Sequence, residues 1–120
     1  MLEYCINKAR TMDSGGRVRV FSVVVDSKGN MLGEGLNNYN KTHTKQSYYA
    51  NKANLASKTY LHSELLALTR ALKTNKKIAK IYIARVGRNG EVKDAAPCPI
   101  CSMLIEQEFP NIEVEYTKEK

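Results

Sequence analysis

Apolar positions along the chain change their spacing at intervals, and each change marks an element. Leu2, Ile6 and Ala9 recur at helical spacing, so Leu2 to Met12 predicts a short helix that ends in the turn Asp13-Ser14-Gly15-Gly16. Val18 to Asp26 is rich in Val and Phe, and Ser27-Lys28-Gly29-Asn30 is turn chemistry ahead of Met31 to Leu36, which together predict a hairpin of two strands. Within the first strand, Phe21 to Val25 is almost continuously apolar. That is the pattern of a strand buried on both faces, and each face then needs a helix over it. Asn37 to Tyr60 is long and polar; a connection of this length is expected to be functional or to hold a short helix, placed near Tyr48 to Ser57. Leu61, Leu65, Leu68 and Leu72 return to helical spacing and predict an amphipathic helix with its leucines in the core. Ile78 to Val86 alternates as a strand, and Gly87 to Ala96 is a connection that turns at Asn89-Gly90. Pro97 opens a helix from Cys98 to about Glu108, and Ile112 to Tyr116 is a last strand.

The order helix, strand, strand, helix, strand, helix, strand predicts an α/β fold. Its expected form is a three-layer α/β/α sandwich around a small mixed sheet of about four strands, with strands joined through a helix running parallel. A length of 120 residues fits a single domain over residues 1–120. An apolar fraction of 42% and a charged fraction of 26% exclude pervasive disorder and fibrous repeats. No apolar run approaches the ~20 residues that span a bilayer, so no membrane partner is expected. Met1 to Arg10 carries Glu3, Lys8 and Arg10 and has no apolar h-region; no signal peptide is expected, and a cytoplasmic location follows by default. The net charge of +7 is uneven: Lys41, Lys45, Lys52 and Lys58 fall between Asn38 and Leu61 with no acid among them. This stretch is a candidate phosphate-facing surface, or a loop kept solvated by lysine.

Two short motifs carry the chemistry. His62-Ser63-Glu64 opens one predicted helix, and Pro97-Cys98-Pro99-Ile100-Cys101 opens the next. A lone His near an apolar face is most often a satisfied side chain, and Cys-x-x-Cys alone reads also as a thioredoxin-like redox pair. On a helix, however, positions i and i+3 lie only about 60° apart, so both sulfurs can reach one ion. Because both motifs open helices that flank one sheet, His62, Cys98 and Cys101 together supply three metal ligands and leave one position open. That is the arrangement of a catalytic zinc, whereas a structural zinc is closed by four protein ligands. Zinc in such a site lowers the pKa of a bound water from about 15.7 toward ~7. Glu64 stands two residues from His62, a rotation of about 200° on a helix, so it is badly placed as a further ligand but suited to moving a proton near the ion.

A His-x-Glu that opens a helix, followed by a Pro-Cys-x-x-Cys that opens the next, resembles the zinc-dependent cytidine and deoxycytidylate deaminase superfamily. In this sequence the pattern runs His62, Ser63, Glu64, with Ala67 and Leu68 on the helix face, then Pro97, Cys98, Cys101 and the apolar Ile105. The resemblance implies a cytidine-deaminase-like fold and a hydrolytic deamination at the ring carbon bearing an amine, C4 of cytosine or C6 of adenine. It implies Zn2+ as cofactor, held by His62, Cys98 and Cys101, with Glu64 as the catalytic proton shuttle. It also implies substrate contacts from Ser63 and Pro97, and from Asn37, since Gly35-Leu36-Asn37 matches a Gly-x-Asn that the family tends to place after its second strand. Taken by itself, Asn37 is equally an Asn that ends a strand for turn reasons.

In this family a His as first ligand is more usual for members that act on nucleotides, free bases or nucleic acid than for those that act on nucleosides. The resemblance therefore implies a cytosine nucleotide, dCMP or CMP, as substrate, with cytosine or adenine in RNA or single-stranded DNA as the alternative. The lysines and tyrosines of residues 38–61 suit either. A third reading is a zinc-stabilised module that binds nucleic acid without chemistry. It would need a fourth ligand from Cys5 or His43, and Cys5 is expected to be buried on the apolar stripe of the first helix. Arg85 and Arg88, after the third strand, are secondary candidates for phosphate contact.

Three departures from the family pattern stand out. Ser63 replaces the usual small apolar residue between His and Glu, adding a hydroxyl. No glycine-rich segment between Gly35 and Tyr60 matches the one by which dCTP regulates many deoxycytidylate deaminases, so that control is not expected. A final strand or helix–strand unit seen in many relatives is not expected after Tyr116, which would leave an edge for a second copy in a homo-oligomer.

Overall fold

The computed structural model describes residues 1–11, 18–42, 48, 60–97 and 99–118. In chain order these form α1 (Leu2–Thr11), β1 (Arg19–Val25), β2 (Met31–Leu36), β3 (Asn38–Thr42), β4 (Tyr60–Leu61), α2 (Ser63–Leu72), β5 (Lys80–Val86), β6 (Val92–Lys93), α3 (Pro99–Glu108) and β7 (Glu113–Tyr116). The turn expected at Asp13 to Gly16, the helix expected near Tyr48 to Ser57 and the expected ligand Cys98 all lie outside the described residues or largely so. Among the described residues no helix is long and apolar enough to cross a membrane.

β1 is the spine of the sheet because neither of its faces has to meet water. It pairs antiparallel with β2 on one side and with β5 on the other, so β2 and β5, joined through α2, run in the same direction. The outer edge of β5 is shared end to end: β6 lies antiparallel to Arg85 and Val86, and β7 lies parallel to Lys80 through Ile83. The sheet is therefore mixed, as expected, but it has five strands where about four were expected. The added strand is β6. Asn89-Gly90 is the tip of a hairpin instead of a bend in a connection: Gly90 takes φ +86°, and its N–H donates to the Gly87 carbonyl at 3.0 Å. Strands of two residues leave no alternating pattern to read, which is also why β4, in a second small sheet with β3, escapes prediction.

Alternation along the strands divides the core in two. Phe21, Val23 and Val25 of β1, with Ala84 and Val86 of β5, pack on Cys5 and Ala9 of α1. Val24 of β1, with Ile81 and Ile83 of β5, packs on Leu65 and Leu68 of α2 and on Leu104 and Ile105 of α3. One helix on one face and two on the other make the expected three layers.

α2 departs from expectation at both ends. Leu61 belongs to β4, so the helix starts at Ser63, and Leu72 is 47% exposed instead of being core. The stripe facing the sheet runs through Leu65, Ala67, Leu68 and Ala71 because the helix lies directly on the backbone of β2. A Cβ at Gly33 would collide with the Ala67 carbonyl oxygen and sit 2.7 Å from the Ala71 nitrogen; at Gly35 it would meet the Leu66 side chain. Small residues on both partners permit this approach.

On the opposite face the Tyr4 hydroxyl donates to Glu34 Oε2 at 2.7 Å, and this bond, with burial, pushes the phenol up to about 12. Burial likewise pushes the Cys5 thiol up to about 12.

Two outcomes follow from these contacts. Gly33→Ala sets a methyl against helix backbone, which cannot rotate aside, and lowers stability by about 1–3 kcal/mol. Gly35→Ala meets only a movable leucine and costs less; urea midpoints of the two variants give the comparison. Tyr4 and Cys5 both have folded pKa values above their ordinary ones of 10.0 and 9.0, so both favour the fold in their neutral forms. Their contribution is complete below about pH 9 and is lost as pH rises toward 12. Urea midpoints measured from pH 8 to pH 11 decline, and the decline is shallower in Tyr4→Phe.

Candidate metal centre

β2 and β5 end at the same edge of the sheet, so the helices that follow them, α2 and α3, both begin there. Ligand sites in open α/β sheets form at this carboxyl edge. His62 is the N-cap of α2, with φ −82° and ψ 151°, and its carbonyl accepts the first helical bond from Leu66 at 3.2 Å. It directly follows β4, whose Leu61 pairs with Asn38 of β3, so the ladder sets His62 beside the Asn37 end of β2. Cys101 is the third residue of α3 and is held by Leu104 and Ile105, which anchor the same helix face in the core.

The two residues meet. His62 Nδ1 lies 3.3 Å from Cys101 Sγ, both are buried, and Glu64 completes a group whose donor atoms all lie within 4.8 Å of one another. A tetrahedral zinc with Zn–N and Zn–S bonds of about 2.0–2.1 and 2.3 Å holds such ligands ~3.5 Å apart. The imidazole and the thiol therefore already stand at the separation that ion requires, and a borderline-soft N,S donor pair is what zinc selects. The buried group thus fits zinc. Cys98, the other expected sulfur, lies outside the described residues.

Glu64 is not turned away from His62 as a helical offset of two residues suggests. His62 is extended, outside the helix, and the periodicity does not apply across a cap; the carboxylate instead comes round to the ligand side. Its position is held by a relay. Ser63 Oγ donates to Glu64 Oε1 at 2.8 Å, and Ser22 Oγ lies 2.8 Å from Ser63 Oγ. A hydroxyl has one proton, and since that of Ser63 goes to Glu64, Ser22 is the donor in the second bond. The result is a directed chain, Ser22 to Ser63 to Glu64, in a place where Ser22 and Ser63 are fully buried. Ser22 is the residue that sequence reasoning missed. Its signal was a single hydroxyl inside the run Phe21 to Val25, where a buried polar group requires a partner.

The remaining expected contacts are placed as follows. Asn37 is buried at the end of β2; its Oδ1 accepts from Val20 N–H at 3.0 Å and its Nδ2 donates to the Val18 carbonyl at 3.4 Å, so it closes the β1–β2 ladder. Pro97 is half-buried ahead of α3, and its carbonyl accepts from the Ser102 hydroxyl at 3.2 Å. Cys5 lies across the sheet from this group, packed with Phe21 and Val23 under α1, and cannot supply a further ligand. His43 lies outside the described residues.

A protein-family profile described as the cytidine and deoxycytidylate deaminase zinc-binding region aligns with residues 1–113. No curated protein matches the chain.

The serine relay makes a quantitative expectation. Ser63→Ala strands both the Ser22 hydroxyl and one carboxylate oxygen in the core, and costs about 1–3 kcal/mol. Ser22→Ala removes only the outer donor and costs less. Because the residues form one chain, Ser22→Ala/Ser63→Ala is no less stable than Ser63→Ala alone. Urea unfolding of the four proteins measures the coupling, and simple additivity would remove the relay.

Proposed function

The chain belongs to the cytidine and deoxycytidylate deaminase family, and from that premise we propose that residues 1–120 act as one zinc-dependent deaminase. Its reaction is the hydrolysis of dCMP or CMP to dUMP or UMP with release of ammonia. The observation that carries this reading is the donor set, an imidazole and a thiol 3.3 Å apart with a carboxylate beside them, buried where two helices begin.

In this scheme His62, Cys98 and Cys101 would hold the zinc, Cys98 being the first cysteine of the Cys-x-x-Cys motif. When bound, zinc supplies Lewis acidity, lowering the pKa of a water so that the nucleophile is available near neutral pH. The side chains do the rest. Glu64 takes one proton from the attacking water and returns it to the ring nitrogen, then takes the second from the added hydroxyl and gives it to the leaving amine, so that water and cytosine are converted to uracil and ammonia with no proton gained or lost. Ser63 engages Oε1, which leaves Oε2 to carry that proton, and Ser63 thus serves the substrate through Glu64. Asn37 has a second Nδ2 hydrogen beyond the one given to Val18, and it contacts the sugar; Pro97 walls the ring from the α3 side.

The net charge of +7 favours one alternative, a deaminase acting on cytosine or adenine in RNA or single-stranded DNA. Ammonia release from cytidine, dCMP, CMP, dCTP, adenosine and a short single strand separates the two. Conversion of dCMP and CMP is expected; inert nucleotides with a converted oligonucleotide would establish the alternative. Glu64→Ala keeps zinc and fold but lowers turnover by about 10²–10⁴-fold, while His62→Ala loses zinc. Full turnover by Glu64→Ala would end the proposal.

A further inference from the structure

We propose that Arg85, with Arg88 beside it, forms the subsite for the nucleotide's phosphate, an inference that rests on the nucleotide reading above. Ser22 pairs with Ile83, and Val20 pairs with Arg85. Residues opposite each other in an antiparallel pair share a face, and so do alternate residues along a strand. The Arg85 side chain therefore leaves the sheet on the face that carries Ser22, Ser63 and Glu64. It does so two residues closer to the carboxyl edge, about 7 Å along the strand. Every other residue of β5 is buried or half-buried; Arg85 alone is exposed.

Its backbone is fixed from both sides. It pairs with Val20 on β1 and Lys93 on β6, and its N–H donates to Thr117 Oγ1 at 3.1 Å, while that hydroxyl donates to the Lys93 carbonyl at 2.7 Å. Arg85 and Arg88 line a cavity of about 480 Å³ together with Val18, Lys93, Glu91 and Asp94. The wall at Val18 is the residue whose carbonyl accepts from Asn37, so the cavity adjoins the end of β2 where the sugar is placed.

The two acids of the cavity have partners other than the arginines, those of Glu91 being residues of the same cavity. Glu91 Oε2 accepts from Asn89 N–H at 3.1 Å, and its Oε1 lies 3.8 Å from Lys93 Nζ. Asp94 Oδ1 accepts from Ala96 N–H at 2.9 Å. Among the described residues no carboxylate pairs with the guanidinium of Arg85 or of Arg88. Two guanidinium forks lining one cavity, on a fixed strand end and a hairpin turn, suit an oxyanion that accepts bidentate bonds. A nucleotide whose ring lies over Glu64 and whose sugar lies at Asn37 brings its phosphate to that rim.

The test compares dCMP with deoxycytidine, which differ only in the phosphate, and with a short single strand, on the zinc-loaded full chain and on Arg85→Ala, Arg88→Ala and Arg85→Lys. In Arg85→Ala the preference for dCMP over deoxycytidine in kcat/KM falls roughly 10-fold to 100-fold, mainly through KM. Arg85→Lys restores part of it, and Arg88→Ala shows a smaller loss in the same direction. Equal losses on the two substrates, or no change on either, would overturn the subsite. A loss confined to an oligonucleotide substrate would overturn its assignment to a free nucleotide. A titration with inorganic phosphate keeps the inference separate from the reaction itself. The Arg85 Nε–H resonance is expected to shift on phosphate addition even in Glu64→Ala, and its failure to move would exclude the site whether or not the nucleotide reading holds.

Discussion

The seat of α2 on β2 is the contact from which the rest of the arrangement derives. Glycine at 33 and 35 lets helix backbone lie directly on strand backbone, and that fixes how deep the helix sits and how far its first turn reaches. A helix raised by even one side-chain layer would carry His62 and Ser63 away from α3 and from β1. The 3.3 Å approach of His62 to Cys101 and the 2.8 Å approach of Ser63 to Ser22 are thus both consequences of two missing side chains on a neighbouring strand. Close packing in protein interiors transmits such displacements instead of absorbing them.

The site combines a soft donor pair with a hard, oriented carboxylate. His62 and Cys101 come from the starts of different helices, so their meeting depends on tertiary packing, whereas Glu64 and Ser63 are neighbours in sequence and depend on local geometry alone. The relay from Ser22 ties the two kinds of order together. It runs from the central strand into the first turn of α2, so the carboxylate is referenced to the sheet and not only to its own helix. The hydroxyl of Ser63 is therefore paired with a second buried hydroxyl at Ser22, and each satisfies the other's need for a partner.

Much of this was legible in the sequence. Burial on both faces of β1, the hairpin with β2, and the two motifs opening α2 and α3 are periodic or local signals, and they led to the three layers and to His62, Glu64 and Cys101 as neighbours. What could not be read is equally specific. β6 and β4 are too short to show a period. Leu72 continued the leucine spacing but lies past the stretch that β2 supports, and the N-cap geometry of His62 reversed the direction inferred for Glu64. The role of Asn37 in closing the β1–β2 ladder and the contact between Ser22 and Ser63, 41 residues apart, depend on register, which pattern alone does not specify.

The doubly buried β1 has one more effect, on the chemistry of sulfur. Cys5 lies beneath α1 on one side of the sheet, and Cys101 lies among the α2 and α3 contacts on the other. Two cysteines can be bridged only when their Cα atoms come within about 7 Å. The sheet lies between them, so Cys5 offers no competing thiolate to an ion held by His62 and Cys101. The same strand that organises the core thereby keeps the buried thiol of Cys5 apart from the sulfur of Cys101.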